Sequence, residues 1–244
     1  MPGMKVAIVS DVHGNAVAFD AVLEDLGREA PDLVLHGGDL ATNGPRPAEV
    51  VDRVRALGWP GVRGNTDELP WDPAVETAVR AGAPRMGAWL DVLFGRLGPW
   101  AAERLGAERM AWLRALPERH DEGDLRLVHA SPGNLWRAPM PDADRGELAR
   151  IYGPLGGRIA VYGHIHRPFV AETDLVHVAN SGSAGQPWDG DPRASYLLVE
   201  DGRPRVQRVP YDVDAAARDA AQAGFPLAAW IGAVYATATF SPPA

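Results

Sequence analysis

The stretch Lys5-Val6-Ala7-Ile8-Val9-Ser10-Asp11-Val12-His13 decides how this chain is read. Lys5 to Val9 is a continuous apolar run of strand length, and it stops at the polar Ser10-Asp11. From Asn15 onward the apolar residues Ala18, Phe19, Val22, Leu23 and Leu26 fall on one helical face, with Asn15 as N-cap and Gly27 as the stop. Asp32 to His36 is the next strand. Pro47 opens a second helix whose inner face is Val50, Val51, Val54 and Leu57, closed by Gly58. A short strand around Gly61 to Arg63 follows. Strand–helix–strand units of this length predict a parallel sheet with helices on both faces.

Working outward, the segment from about Glu68 to Arg119 changes character. Trp89, Leu90 and Leu93, then Met110, Leu113 and Leu116, have helical spacing, and no strand signal interrupts them. We expect a helical insertion rather than a separate domain. Strand-like runs then return at Leu125–Val128, Arg158–Tyr162, Phe169–Ala171, Leu175–Val178, Ser195–Glu200 and Arg203–Val209. Their hairpin-length gaps suit a second, more antiparallel sheet. The expected fold is α/β (α+β): a two-sheet sandwich flanked by helices, one domain over residues 1–244.

Composition limits the function. The chain has 244 residues with 24 Lys+Arg against 32 Asp+Glu, a net charge of −8 that argues against a polymeric nucleic acid as partner. There is no cysteine, so zinc ribbons, thiolate-bound clusters and cysteine nucleophiles drop out, and any transition metal must be held by His, Asp, Glu or Asn. Met1 to Val9 lacks the core and cleavage site of a secretory signal, and a cytoplasmic location without membrane attachment is expected. Residues 220–244 carry no charge, but Pro226 and Gly232 interrupt an apolar stretch shorter than the ~20 residues of a spanning helix. A helix over about 225–240 is expected there, packed on the core or on a second copy of the chain in a homodimer.

Metal-capable residues gather just past the strand ends, where open α/β sheets place their sites. Asp11 and His13 follow the first strand, Asp39 the second, and Asn65 the third. His129 ends Leu125–Val128, and His164 and His166 follow Ile159–Tyr162. Carboxylates, an amide oxygen and neutral imidazoles suit a pair of divalent transition ions, Mn, Fe, Zn or Ni. Such a pair can bridge a water, lower its pKa and clamp a phosphoryl oxygen. Each fragment alone is weak, Asp-x-His or Gly-Gly-Asp being ordinary turns; the ordered set of five carries the inference.

In that order and spacing, Asp11-x-His13, Gly38-Asp39, Gly64-Asn65, His129 and Gly163-His164-x-His166 resemble the calcineurin-like metallophosphoesterase superfamily, over residues 4 to 200. Val128-His-Ala-Ser-Pro132 and Asn180-Ser-Gly-Ser-Ala-Gly-Gln-Pro187 point to its small prokaryotic phosphodiesterase-like members. The resemblance implies one metal on Asp11, His13, Asp39 and His166, and a second on Asp39, Asn65, His129 and His164, with Asp39 bridging. It implies catalytic roles for Asp39, Asn65 and His164, and attack on phosphorus by a metal-bridging hydroxide. At the position where the family commonly carries a His beside the leaving group, this chain has Thr66, which is no general acid at neutral pH. That favours phosphodiesters or nucleoside polyphosphates over alkyl monoesters as the small-molecule substrate. A protein or monoester phosphatase on the same site, and a non-catalytic scaffold, are the competing readings.

Arg46 and Arg167 are the expected substrate-side cations, with Arg137 and Arg193 behind them; the alternative for each is a surface ion pair. Eight residues are Trp. Of these Trp71, Trp136 and Trp188 each follow a motif, where an indole could stack on a base or simply pack helix to sheet. His36, His120 and His177 read as structural, His36 lying close enough to Asp39 to support it.

Overall fold

A computed structural model of the chain describes residues 3–68 and 73–243; Trp71 lies outside the described residues. Two sheets face each other. The first has strand order β2-β1-β8-β9, from β1 (Lys5–Val9), β2 (Leu33–His36), β8 (Ala194–Glu200) and β9 (Arg203–Val209). β1 and β2 are parallel, pairing Val6 with Leu33, whereas β8 runs antiparallel to both β1 and β9. The second sheet has the order β3-β4-β5-β7-β6, from β3 (Arg119–Glu122), β4 (Leu125–Val128), β5 (Ile159–Tyr162), β6 (Phe169–Glu172) and β7 (His177–Asn180). Its three central strands are parallel and its two edges antiparallel.

The continuous apolar character of β1 has a direct cause. Val6 and Ile8 point between the sheets, against Leu127, Val161 and Leu197. Ala7 and Val9 point outward into a layer with Phe19 and Val22 of α1 (Ala16–Glu29) and Val50 and Val54 of α2 (Pro47–Leu57). Both faces are covered, so neither tolerates a polar residue. The outer face of the second sheet is closed by Leu148 and Tyr152 of α6 (Arg145–Tyr152), a helix not foreseen from the sequence.

The insertion is helical, as its spacing predicts: α3 (Pro73–Gly82), α4 (Gly87–Val92), a wide-turned segment Leu93–Leu97, and α5 (Gly98–Ala115), kinked at Gly106. Leu105 and Leu113 of α5 join the outer layer of the first sheet. Leu90, Leu93 and Leu97 instead pack with α7 (Val213–Gln222) and α8 (Ala228–Thr237). The uncharged terminal segment is therefore covered by the chain's own insertion. Among the described residues no helix is long and apolar enough to cross a membrane.

Several boundaries differ from expectation. The Ser195–Val209 hairpin belongs to the first sheet, because β8 is buried along nearly its whole length beside β1. The expected strand at Gly61–Arg63 is a single bridge, Gly61 to His36. Arg119–Glu122 is polar throughout and becomes a strand only by pairing with β4. The strand expected at Leu175–Val178 lies two residues later, with Leu175 exposed in the turn. Gly27 does not stop α1, which ends at Ala30 in a left-handed conformation.

Candidate metal centre

The loops that leave the strands are laced to one another before any side chain is considered. Asp11 N–H donates to Gly38 O (3.0 Å), His13 N–H to Asp39 O (2.9 Å), and Gly163 N–H to His129 O (2.9 Å). The segment after β7 closes the ring, with Ala184 N–H on Ser10 O and Gly185 N–H on Asp11 O. Gly163 sits where the sheets meet: a Cβ there would overlap Asp11 Oδ2 and Ser10 Oγ. Glycine lets His164 N–H approach the Asp11 carboxylate at 3.1 Å, one sheet's loop held by the other's side chain.

Five of the seven candidate ligands take positive φ: Asp11 (57°), His13 (49°), Asp39 (53°), His164 (64°) and His166 (54°). A left-handed backbone costs an L-residue roughly 1–2 kcal/mol, and such residues cluster where function imposes them. All seven converge, and six are buried, His164 keeping partial exposure. His13 Nε2 lies 3.6 Å from Asp39 Oδ2 and His166 Nε2 lies 3.2 Å from Asp11 Oδ1. His129 Nε2 is 3.5 Å from Asp39 Oδ2, so Asp39 lies close to both His13 and His129, while Asp11 is common to the two tight groups Asp11-His13-His166 and Asp11-Asp39-His129.

Their hydrogen bonds show what the cage suits. His13 Nδ1 donates to Thr42 O (2.7 Å), His166 Nδ1 to Gln186 O (2.5 Å) and His129 Nδ1 to Gly37 O (2.8 Å). A carbonyl can only accept, so Nδ1 carries the proton in each ring and the neutral form turns its Nε2 lone pair inward. There it meets other acceptors: Nε2 of His13 faces Nε2 of His166 at 3.1 Å, and Nε2 of His129 faces Asn65 Oδ1 at 2.9 Å, the same oxygen lying 2.9 Å from His164 Nδ1, which is free to donate to it. Converging lone pairs with a carboxylate on each side fit divalent cations.

Burial shapes the charges in the same sense. It pushes His13 down to about 4 and His166 to about 3, and holds His164 well below the usual range, so these rings stay neutral. It pushes the Asp11 carboxyl up to about 6 and Asp39 up to about 7. Bare carboxylates are costly here, and a cation beside them reverses that cost.

Two contributors carried no role in the sequence expectation, Asp67 and Ser183. Asp67 is fully buried, and its carboxylate accepts from the backbone N–H of Asp39 (2.8 Å), Leu40 (3.0 Å) and Gly64 (3.1 Å). It ties the loop carrying Asp39 to the loop carrying Asn65. Its sequence signal is its place directly after Thr66, where the family pattern commonly carries Asp or Glu; its burial and its tie between two loops are not in that pattern. Ser183 acts similarly, its Oγ donating to Asp11 O (2.7 Å) and accepting from Gln186 N–H.

The centre opens into a cavity of about 660 Å³ that reaches His13, Asp39, Asn65, Thr66, His164 and His166. Thr66 is buried beside Asp39, its N–H on Asp39 Oδ1 (2.8 Å). Arg167 lines the cavity with Nε on Trp188 O (3.0 Å), and Arg137 lines it with Nη2 on Gly82 O (2.8 Å). Arg46 is not brought to the cavity. Its loop folds back on Gly14, and its guanidinium forms a bidentate ion pair with Asp219 of α7 (2.5–3.1 Å). Arg193 likewise pairs with Asp191. Trp136 and Trp188 both line the cavity, and Trp188 stacks on His166 with ring centroids 3.7 Å apart. His36 is buried against Trp112 and pushed down to about 3 by that burial.

Comparison with known proteins agrees with this geometry. Residues 4–202 match the calcineurin-like phosphoesterase superfamily domain. The chain belongs to that superfamily and is a phosphoric ester hydrolase by class. A metallophosphoesterase from Sphaerobacter thermophilus superposes with a TM-score of 0.79 at 28% identity, covering 97% of this chain and 100% of that one. The symmetrical bis(5'-nucleosyl)-tetraphosphatase of Methylococcus capsulatus is 32% identical over 154 residues, 61% of this chain and 50% of that protein. Phosphodiesterase YfcE of Escherichia coli is 24% identical over 208 residues, covering 81% and 88%.

Proposed function

We propose that the chain hydrolyses small phosphodiesters or nucleoside polyphosphates at a dinuclear metal centre. One ion is assigned to Asp11, His13, Asp39 and His166, and the other to Asp39, Asn65, His129 and His164, with Asp39 shared. The observation that carries the reading is the set of inward-facing acceptors, with nitrogen on nitrogen at 3.1 Å and an amide oxygen 2.9 Å from the lone-pair nitrogen of His129. Two divalent cations there would supply Lewis-acid activation of water and neutralise charge growing on the phosphoryl oxygens.

The remaining work falls to the chain's own side chains. His13, His129 and His166 are fixed in one tautomer by backbone carbonyls, so their metal-facing nitrogens need no reorganisation. Asp67 holds the Asp39 and Asn65 loops in register. Thr66 stands beside the site without the acidity to protonate a poor leaving group, so good leaving groups are favoured. The names of two relatives, a phosphodiesterase and a bis(nucleosyl)-tetraphosphatase, support the same substrate range.

The test is hydrolysis of bis-p-nitrophenyl phosphate against p-nitrophenyl phosphate with Mn²⁺, Fe²⁺, Zn²⁺ or Ni²⁺, alongside metal content per chain. Diester preference with about two ions bound is expected. A clear monoester preference would redirect the reading to a phosphatase. Less than about one ion and no hydrolysis would favour a scaffold.

A further inference from the structure

The cavity wall away from the ligands is aromatic and sparsely charged. Trp89 of α4, Trp136, Trp188 and Phe240 line it with Leu93 and Met140. Phe240 lies in the segment that follows α8, with its ring centroid 4.8 Å from that of Trp188 and 5.2 Å from that of Trp89. That segment is pinned from both sides. Trp230 Nε1–H donates to Ser241 O (2.7 Å), and Gly190 N–H donates to Ala238 O (3.0 Å). Since Trp188 also stacks on His166, aromatic contacts run without a break from an imidazole of the metal centre to residue 240.

Cations are scarce along this wall. Among the described residues that line the cavity, the Lys and Arg side chains are Arg137 and Arg167 alone, and each already gives a guanidinium N–H to a backbone carbonyl. Arg46, which would have added a third, is turned away to Asp219. A nucleoside polyphosphate carries several negative charges beyond the reacting phosphorus, and such charges are normally met by Arg forks or Lys. A phosphodiester carries one negative charge, and its non-leaving substituent can be entirely neutral. Ring surface suits that substituent, by burial of its apolar area and by offset or edge contacts.

We propose that the aromatic wall is a receptor for a flat, uncharged substituent of a phosphodiester, an aryl or nucleobase group, with Phe240 as a specificity-determining residue. This rests on the phosphoesterase reading above and narrows it: single-phosphate diesters are preferred over nucleoside polyphosphates.

The test uses the Mn²⁺-loaded full chain and two diesters with the same leaving group, phenyl p-nitrophenyl phosphate and methyl p-nitrophenyl phosphate. Wild-type kcat/KM should favour the phenyl ester at least tenfold. Phe240→Ala should cut that ratio at least fivefold, and Phe240→Leu, which keeps apolar volume and guards against misfolding, should fall between. The intrinsic reactivities of the two esters cancel in this comparison. An unchanged ratio in both variants overturns the proposal while leaving hydrolysis intact. A higher kcat/KM for diadenosine tetraphosphate than for thymidine 5'-p-nitrophenyl phosphate also overturns it. If no ester is cleaved with any metal, the phosphoesterase reading fails, and calorimetry decides the wall separately. O-methyl phenylphosphonate should then bind at least tenfold more tightly than O-methyl methylphosphonate, and equal binding overturns the receptor.

Discussion

His13 and His166 face each other nitrogen to nitrogen, Nε2 to Nε2 at 3.1 Å, while the far nitrogen of each ring donates to a backbone carbonyl. The carbonyls of Thr42 and Gln186 can only accept, so neither ring can turn its N–H inward without losing a buried hydrogen bond. One proton shared between the rings would relieve the contact, but burial disfavours the charged imidazole. The divalent cation proposed above would relieve the same contact by accepting both lone pairs. His13→Ala and His166→Ala should each lower bound metal from ~two ions per chain to ~one or fewer, and lower diesterase activity at least ~100-fold. Elemental analysis of the purified variants, beside circular dichroism to show that they fold, checks this.

Metal binding should release protons, and the sign follows from the carboxylates. Metal-free Asp11 and Asp39 are pushed up to about 6 and about 7, so near pH 6 much of this pair is protonated and must ionise to bind. His13, His164 and His166, pushed down, are already neutral and release nothing. The two carboxylates should contribute roughly one to two protons per chain near pH 6, a contribution that falls toward none above about pH 8. Calorimetric titration with Mn²⁺ in buffers of different ionisation enthalpy measures the number directly.

Asp67 should matter without touching substrate. Asp67→Ala would strand the buried N–H groups of Asp39, Leu40 and Gly64, at a cost of about 2–4 kcal/mol. Asp67→Asn keeps one acceptor oxygen and should recover part of that loss. Urea unfolding gives the stability. Metal titration should show affinity weakened ~10–100-fold, as for other residues that orient ligands.

Thr66 should decide which leaving groups are tolerated. Thr66→His supplies a group able to give up a proton near neutral pH, so turnover of diesters with a phenol leaving group should rise roughly tenfold or more relative to p-nitrophenol. Plotting log kcat/KM against leaving-group pKa should give a shallower slope for the variant. An unchanged slope would mean that another group already protonates the leaving oxygen.

Most of the candidate ligands were legible because they follow apolar runs, and such runs announce strands whatever their partners; Asn65 instead follows Gly61-Val-Arg-Gly64, which forms only a single bridge. Sheet membership was not legible: the Ser195–Val209 hairpin could join either sheet, and its pairing with Lys5–Ile8 is a contact across most of the chain. The edge strand Arg119–Glu122 carries no apolar alternation, so only its neighbour makes it a strand. Arg46 shows the limit for charges. Its position beyond Asp39 invites a substrate role, yet its partner Asp219 lies 173 residues away, where no local spacing points. Asp67 shows the converse, a carboxylate in an apparent surface turn that is wholly enclosed.

Of the seven candidate ligands, Asp11, His13, Asp39 and Asn65 follow the first sheet and His129, His164 and His166 the second, with the aliphatic layer of Ile8, Leu127, Val161 and Leu197 between those sheets. The dimensions of the cage are thus inherited from the thickness of an oily spacer. Close-packed interiors transmit even a single methylene of added or lost volume. A lineage could retune which ion it prefers by trading aliphatic side chains deep in this layer while every ligand stays the same.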